Sequence, residues 1–315
     1  MIGAVIGLAL LAWALMNLDW SQIGTTLRSA RYVFLFPAAL AMLGMFAIRA
    51  IRWKMLLNPL GSPDLPTVGA GVLIGYFGNF ALTANAGELV RTYVLSKNEG
   101  LSKSSVLASI VVEKTLDVSV LVAFLLILSL TMALPPWMEH LGTIAGAMSV
   151  VACAFLIFLP RFAKRVASWI RDQVSRVSTS LAAQIERLID SFASGTQAWA
   201  QGGTLISTIV LTCLTWPLLA LAFYFIGESL GLSISRLAYL LLVTLITLGA
   251  IVPALPGQVG TLEFLVAGGL AVFSVSKEQA LSFAILLRLV RLVPLSLGYA
   301  SLVREGVRLS DVSSL

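Results

Sequence analysis

Charge is scarce in this chain. Only 11% of its 315 residues are Asp, Glu, Lys or Arg, against 58% that are hydrophobic, a balance that excludes an ordinary soluble globule and indicates a polytopic membrane protein. A soluble catalytic unit needs on the order of 100 residues with its own core, and the longest polar stretch, 160–202, is far shorter. Histidine is limited to His140, in a short loop after Pro135, Pro136 and Trp137, where a solvated side chain is the simplest reading. Cys153 and Cys213 lie in apolar runs without CxxC or His spacing, so they imply neither disulfide nor metal and read as small buried hydrophobes. There is no Walker loop, no HExxH, no GxSxG, and no histidine inside an apolar run to serve as a base. No catalytic grouping and no cofactor are therefore expected.

What the chain does have is a series of long apolar runs. Spans of about 20 residues fit at 1–18, 32–52, 105–132, 141–159, 203–227 and 279–303. The first lacks a basic leader and reads as a retained membrane helix. Two further apolar regions are interrupted: residues 67–98 around Thr83-Ala84-Asn85-Ala86-Gly87, and residues 237–275 around Pro253 to Gly260, including Pro256 and Gly257. Proline removes an amide donor and glycine relaxes the backbone, so both regions should turn back inside the bilayer as paired half-helices. Such backbone survives at membrane depth only when packed in protein or lining a wet cavity.

Loop charges set the orientation. Arg49, Arg52 and Lys54 follow the second span, Lys97 and Lys103 follow the first interrupted region, and five Lys or Arg open the 160–202 segment. These faces are expected to be cytoplasmic, with both termini, in the inner membrane of a bacterial-type cell. The first interrupted region must then enter and leave from the cytoplasm and the second from outside. The fold expected is all-α: about six full spans plus two broken re-entrant hairpins in an inverted repeat, with halves 32–159 and 203–303 joined by the 160–202 linker in a single 1–315 membrane domain. Inverted repeats with broken helices are a recurring transporter design, with the site between the repeats. Gly87 precedes Glu113 by 26 residues and Gly260 precedes Arg288 by 28, matching intervals for two equivalent units. The linker has apolar residues at helical spacing and net charge +3, which suits either an amphipathic helix on the inner leaflet or a simple connector. The overall charge of +6 is accounted for by attraction to anionic lipid rather than nucleic acid.

Seven ionisable residues fall inside the apolar runs: Glu88, Arg91, Glu113 and Asp117 in the first half, Glu263, Arg288 and Arg291 in the second. A charge at a helix centre in hydrocarbon costs roughly 2.5–3.5 kcal/mol even on lenient scales, so each is a candidate for substrate contact. Glu113 and Asp117 share one helix face, as do Arg288 and Arg291, and an acidic face meeting a basic one across the halves would relieve both. Such pairing could be structural glue, or it could be available to a passing headgroup. Glu88 and Glu263 open their half-helices, where an acid suits the positive end of the dipole. The amide-rich breaks at Asn85, Gly87, Pro256, Gly257 and Gly260 would also suit a phosphate.

Taken together, Arg49-xx-Arg52-Trp53-xx-Leu56-Leu57, Gly78-Asn79, Gly87-Glu88-xx-Arg91, Glu113-Lys114-xx-Asp117, Pro256-Gly257-xx-Gly260-xx-Glu263, and Arg288 with Pro294 resemble the lysylphosphatidylglycerol synthase transmembrane region, a flippase-like family. The resemblance spans nearly the whole chain. It implies a lipid translocase that passes an anionic or zwitterionic headgroup through a charged crevice, resembling the stand-alone members rather than those joined to a soluble aminoacyl transferase. The expected partners are membrane lipids, with a second copy of the chain or a lipid-synthesis enzyme as protein partner. A membrane enzyme or enzyme subunit of lipid modification, and a coupled small-anion transporter, are the alternatives.

Overall fold

The computed structural model describes residues 2–82, 86–132, 134–175, 202–249 and 255–306, together with 179, 186 and 189–192. Among these residues every regular element is a helix and none is a strand. In order they are α1 (Ile2–Leu15), α2 (Trp20–Arg28), α3 (Leu35–Gly61), α4 (Leu65–Ala81), α5 (Gly87–Glu99), α6 (Lys103–Thr131), α7 (Pro136–Val174), α8 (Gly202–Ser229), α9 (Arg236–Gly249), α10 (Thr261–Ala271) and α11 (Lys277–Arg304). A 3-10 turn at Pro256–Gln258 precedes α10.

Among the described residues three segments are long and apolar enough to cross a bilayer unaided: Tyr32–Gly61, Gly203–Ser229 and Lys277–Arg304. The 29 residues of α6 also have the length, but carry Glu113, Lys114 and Asp117. Large apolar side chains cover the outside, among them Phe36 at 71% exposure and Leu130 at 86%. Such a surface suits a hydrocarbon solvent and would aggregate in water.

The interrupted regions form two hairpins, α4/α5 and α9/α10. At 13 and 11 residues, the second legs reach about 20 Å and 16 Å, short of the ~30 Å hydrocarbon core. The sequence explains the breaks locally. The Gly87 amide donates to Asn79 Oδ1 at 3.0 Å, fixing the start of α5 against α4. In the second hairpin Gly257, Gln258 and Gly260 all take positive φ, a region glycine enters without penalty. Glu263 then folds back so that its Oε2 accepts from the Gly260 amide at 2.8 Å.

The two halves repeat one packing scheme. The long helices α3 and α8 lie antiparallel: Gly44 meets Leu218, Arg49 stacks over Trp216, and Arg52 reaches Thr212. Each then packs beside the first leg of its own hairpin, and each second leg packs along the following charged helix, α6 or α11. Across the interface the first legs exchange partners, α4 lying on α11 and α9 on α6. Phe80 at the end of α4 also touches the Gly257 turn, so the second break adjoins the first hairpin.

Connections on the two ends show that the hairpins open in opposite directions. At one end Gly61 abuts Leu101, Lys54 Nζ donates to the Pro63 carbonyl at 2.5 Å, and Asn98 Nδ2 donates to Glu305 at 2.5 Å; both ends of the α4/α5 hairpin lie here. At the other end the Arg31 amide donates to the Ser229 carbonyl at 2.8 Å, and Lys277 Nζ caps the carbonyls of Trp13 and Met16 at 2.7 and 2.8 Å; the α9/α10 hairpin opens here. In a background with Cys153→Ala and Cys213→Ala, Lys97→Cys and Ser233→Cys should react with an impermeant thiol reagent from opposite sides of the membrane. Labelling of both from one side would contradict the inverted arrangement.

Three expectations are corrected. The second span does not stop at residue 52: α3 continues to Gly61, which moves Arg49 and Arg52 from a loop to the protein interior. The span expected at 141–159 is part of one helix running from Pro136 to Val174, so the 160–202 segment begins as its continuation; most of the remainder of that segment, like Asn85, lies outside the described residues. The short helix α2 was not anticipated. Asp19 caps it, accepting from the Ser21 and Gln22 amides at 2.9 and 3.2 Å.

Candidate functional site

The acidic face of α6 is neutralised from within its own half. Arg52, fully buried, donates to Asp117 at 2.6 Å and to Glu113 at 2.9 Å, and its other contact is Thr212 Oγ1 at 2.8 Å. Glu113 is bivalent: Oε1 takes Arg52 while Oε2 takes Arg91 at 3.0 Å. Arg91 also holds Glu88 at 2.5 Å, and Glu88 accepts from Lys114 at 2.8 Å and Asn79 at 3.2 Å. Arg49 joins through Asp117 at 3.6 Å. A guanidinium's planar fork suits this bidentate bridging, which a lysine could not reproduce.

Trp53 positions the cluster. Its ring lies 4.6 Å beneath the Arg91 guanidinium, and its Nε1 donates to Ser109 Oγ at 3.0 Å. Gly71 and Gly75 let α4 approach closely, facing Trp53 and Arg91 respectively. Between α3, α4, α5 and α6 remains a cavity of about 40 Å³ whose wall includes Arg49, Tyr76, Asn79, Glu88, Arg91 and Lys114. That is room for about three water molecules.

The second half holds a smaller counterpart. Arg288 grips Glu263 Oε1 through Nε at 2.8 Å and Nη2 at 2.7 Å, and donates to the Gly257 carbonyl at 2.9 Å. The strained turn and Arg288 of α11 are thereby locked together. Arg291, one turn on, meets the Gln258 side-chain oxygen at 3.3 Å among the described residues. Among the described residues no buried carboxylate pairs with a cation of the opposite half. The expected meeting of Glu113 and Asp117 with Arg288 and Arg291 is therefore corrected: each set finds its countercharge closer to home, at Arg52 and Arg91 in one case and Glu263 in the other.

The seven singled-out residues thus divide four to one cluster and three to the other. The first cluster also contains Arg49, Arg52, Lys114, Asn79 and Trp53, which are not among those seven. A signal for the arginines was present, since Arg49 and Arg52 repeat the three-residue spacing of Glu88/Arg91 and Arg288/Arg291 and are followed by Trp53, Leu56 and Leu57. In all, six cations face four carboxylates in the two clusters. The second cluster's turn adjoins the first hairpin, since Phe80 of α4 lies against Gly257.

Opposed half-helical hairpins with buried charge at their breaks, in a bundle coated with apolar side chains, define a helical membrane protein of the inverted-repeat kind. The chain belongs to the lysylphosphatidylglycerol synthase TM region family, whose profile matches residues 1–298. Two relatives from Methanothermobacter thermautotrophicus, each described as a UPF0104 membrane protein, are 26% and 25% identical, over 90% and 98% of this chain and 85% and 96% of their own length. Glycosyltransferase AglD of Haloferax volcanii is 24% identical over 81% of this chain, which corresponds to 46% of that protein.

Proposed function

We propose that this protein moves a polar lipid headgroup between leaflets through the crevice between its two hairpins, while the acyl chains stay in lipid. The observation that carries this reading is the cavity walled by Arg49, Arg91, Lys114 and Tyr76 beside the break of the first hairpin. Such a site offers a headgroup what it loses on leaving water. Arg91, Arg288 and Arg291 contact the phosphate, and Glu88, Glu113, Asp117 and Glu263 hold those arginines in position. Pre-oriented donors of this kind lose little side-chain entropy when they bind. The protein supplies no bond chemistry in this scheme. Its carboxylates are engaged by guanidinium groups. The location is the cytoplasmic membrane with both termini inside, since the face bearing Lys54, Lys97 and Lys103 is the more basic one.

The test is a proteoliposome assay with labelled phosphatidylglycerol, phosphatidylcholine and phosphatidylethanolamine. The folded protein should accelerate movement of at least one of them, and Arg91→Gln should reduce that rate about tenfold, one lost charged contact being worth ~1.5–3 kcal/mol. No acceleration for any headgroup would refute the reading. The similarity to the glycosyltransferase AglD favours a second one, a membrane component of lipid glycosylation. A chemically altered lipid, formed by purified protein and abolished by Glu113→Gln, would establish that role instead.

A further inference from the structure

A second cavity, of about 380 Å³, belongs to neither charge cluster. It is a groove between α8 and the start of α9, and it shares no residue with the cavity of the first hairpin. Pro217, Ala220, Leu221 and Tyr224 line it from α8, and their three- and four-residue spacing puts them on one stripe of that helix. Leu237 and Leu240 face them from α9. The small side chain of Ala220 leaves the space that a larger residue would close. Leu221 and Leu237 are 40% and 45% exposed, so the groove opens on the apolar coat of the bundle.

One end of this groove is cationic. Arg236, the first residue of α9, holds its guanidinium 5.5 Å from the centre of the Tyr224 ring. Among the described residues it has no carboxylate partner, because Glu228 on the last turn of α8 is taken by Arg31 at 3.6 Å. This is the end of the bundle at which the α9/α10 hairpin opens, so Arg236 lies toward the membrane surface. Pro217 lies two turns back along α8 from Tyr224, about 10 Å deeper. The space holds about twelve water-sized groups, enough for one acyl chain and not for two. A lone cation at headgroup level above an apolar channel of chain width is complementary to an amphiphile with an anionic head.

We propose that the α8–α9 groove is a fixed binding site for an anionic phospholipid of the leaflet on this side, separate from the crevice between the hairpins. One acyl chain lies along Pro217, Ala220 and Leu240, and the phosphate meets Arg236 over the Tyr224 ring. A zwitterionic lipid would bring its own cation to a place where no carboxylate is free to receive it, so net negative charge is selected. The lipid bridges α8 and the first leg of the second hairpin, which makes it a brace of that junction and not cargo. The site does not depend on lipid movement through the protein.

The experiment places the protein in nanodiscs of equimolar phosphatidylglycerol and phosphatidylcholine with matched chains, and identifies the lipids it retains by native mass spectrometry. Phosphatidylglycerol should be enriched roughly fivefold, the preference that one basic residue near a membrane surface supplies. Arg236→Gln, at an exposed position, should bring the ratio close to one while the variant melts like the parent protein in lipid-free detergent. Leu221→Trp, which fills the groove from its exposed rim, should lower retention of both lipids. In parallel, the thermal midpoint in detergent is measured with dioctanoyl phosphatidylglycerol, dioctanoyl phosphatidylcholine and chain-free glycerophosphoglycerol. The first should raise it most and the last not at all. Undiminished enrichment in Arg236→Gln, unchanged retention in Leu221→Trp, or equal stabilisation by the chain-free headgroup would each overturn the site. Enrichment lost in Arg91→Gln and kept in Arg236→Gln would put the lipid in the crevice instead, overturning this site while supporting the translocation reading.

Discussion

Arg52→Met is expected to be the most damaging single side-chain truncation in the protein. It removes the partner held 2.6 Å from Asp117 and 2.9 Å from Glu113, leaving Asp117 with only the 3.6 Å contact to Arg49. Breaking a buried pair by deleting one member costs about 3–5 kcal/mol, because the survivor is stranded without solvent. That is a large share of the 5–15 kcal/mol by which a folded domain is usually stable. We expect the thermal midpoint in detergent to fall by roughly 10 °C and most of the protein to elute as aggregate in gel filtration. Arg52→Lys should fall between, since it keeps the charge but lacks the fork that serves two acids. Combining Arg52→Met with Asp117→Leu should recover part of the loss by removing the stranded carboxylate. If the double variant is no better than the single one, packing of the long side chain rather than charge is what Arg52 supplies.

Gly260→Ala and Gly87→Ala should be nearly as severe for a different reason. A Cβ on Gly87 would lie 2.0 Å from the Gly75 carbonyl oxygen and 2.5 Å from the Asn79 amide nitrogen. Both are backbone atoms, so relief requires the hairpin legs to separate, which breaks the Gly87–Asn79 hydrogen bond. At Gly260 the added carbon would lie 2.0 Å from the Gly7 carbonyl oxygen on α1, and φ there is +85°, so strained backbone adds to the clash. Overpacking of this kind costs about 1–3 kcal/mol, and strained φ adds a comparable amount. The controls are Gly24→Ala and Gly268→Ala, whose new carbons would meet nothing within 4 Å. Melting curves should separate the two pairs clearly; equal melting of all four would mean that the hairpins tolerate being wedged apart.

Much of this architecture was legible because the bilayer imposes simple length and polarity rules. The breaks near Gly87 and Pro256–Gly260 could be read from backbone chemistry, and α11 could be placed to within two residues at its start and one at its end. Arg52 was misread because the same residue type serves two purposes in membrane proteins, marking the cytoplasmic edge and neutralising buried acid. Hydropathy alone places the end of the span at the first arginines. Only the apolar Trp53, Leu56 and Leu57 beyond them show that the helix and its burial continue. The partners of Glu113 could not be read from the sequence at all, since spacing fixes which residues share a face but not which neighbouring helix that face meets.

The self-contained pairing of each charge cluster has a mechanical consequence. Between the halves at depth, the specific ties through these side chains among the described residues are the Arg52–Thr212 hydrogen bond and the stacking of Arg49 on Trp216, alongside apolar contact such as Gly44 against Leu218. Were the proposed lipid movement to require one repeat to rock against the other, each cluster would travel with its carboxylates still paired. The barrier to such a movement would be set by slippage along an apolar seam, and no salt bridge would be torn open in a medium that could not solvate the fragments.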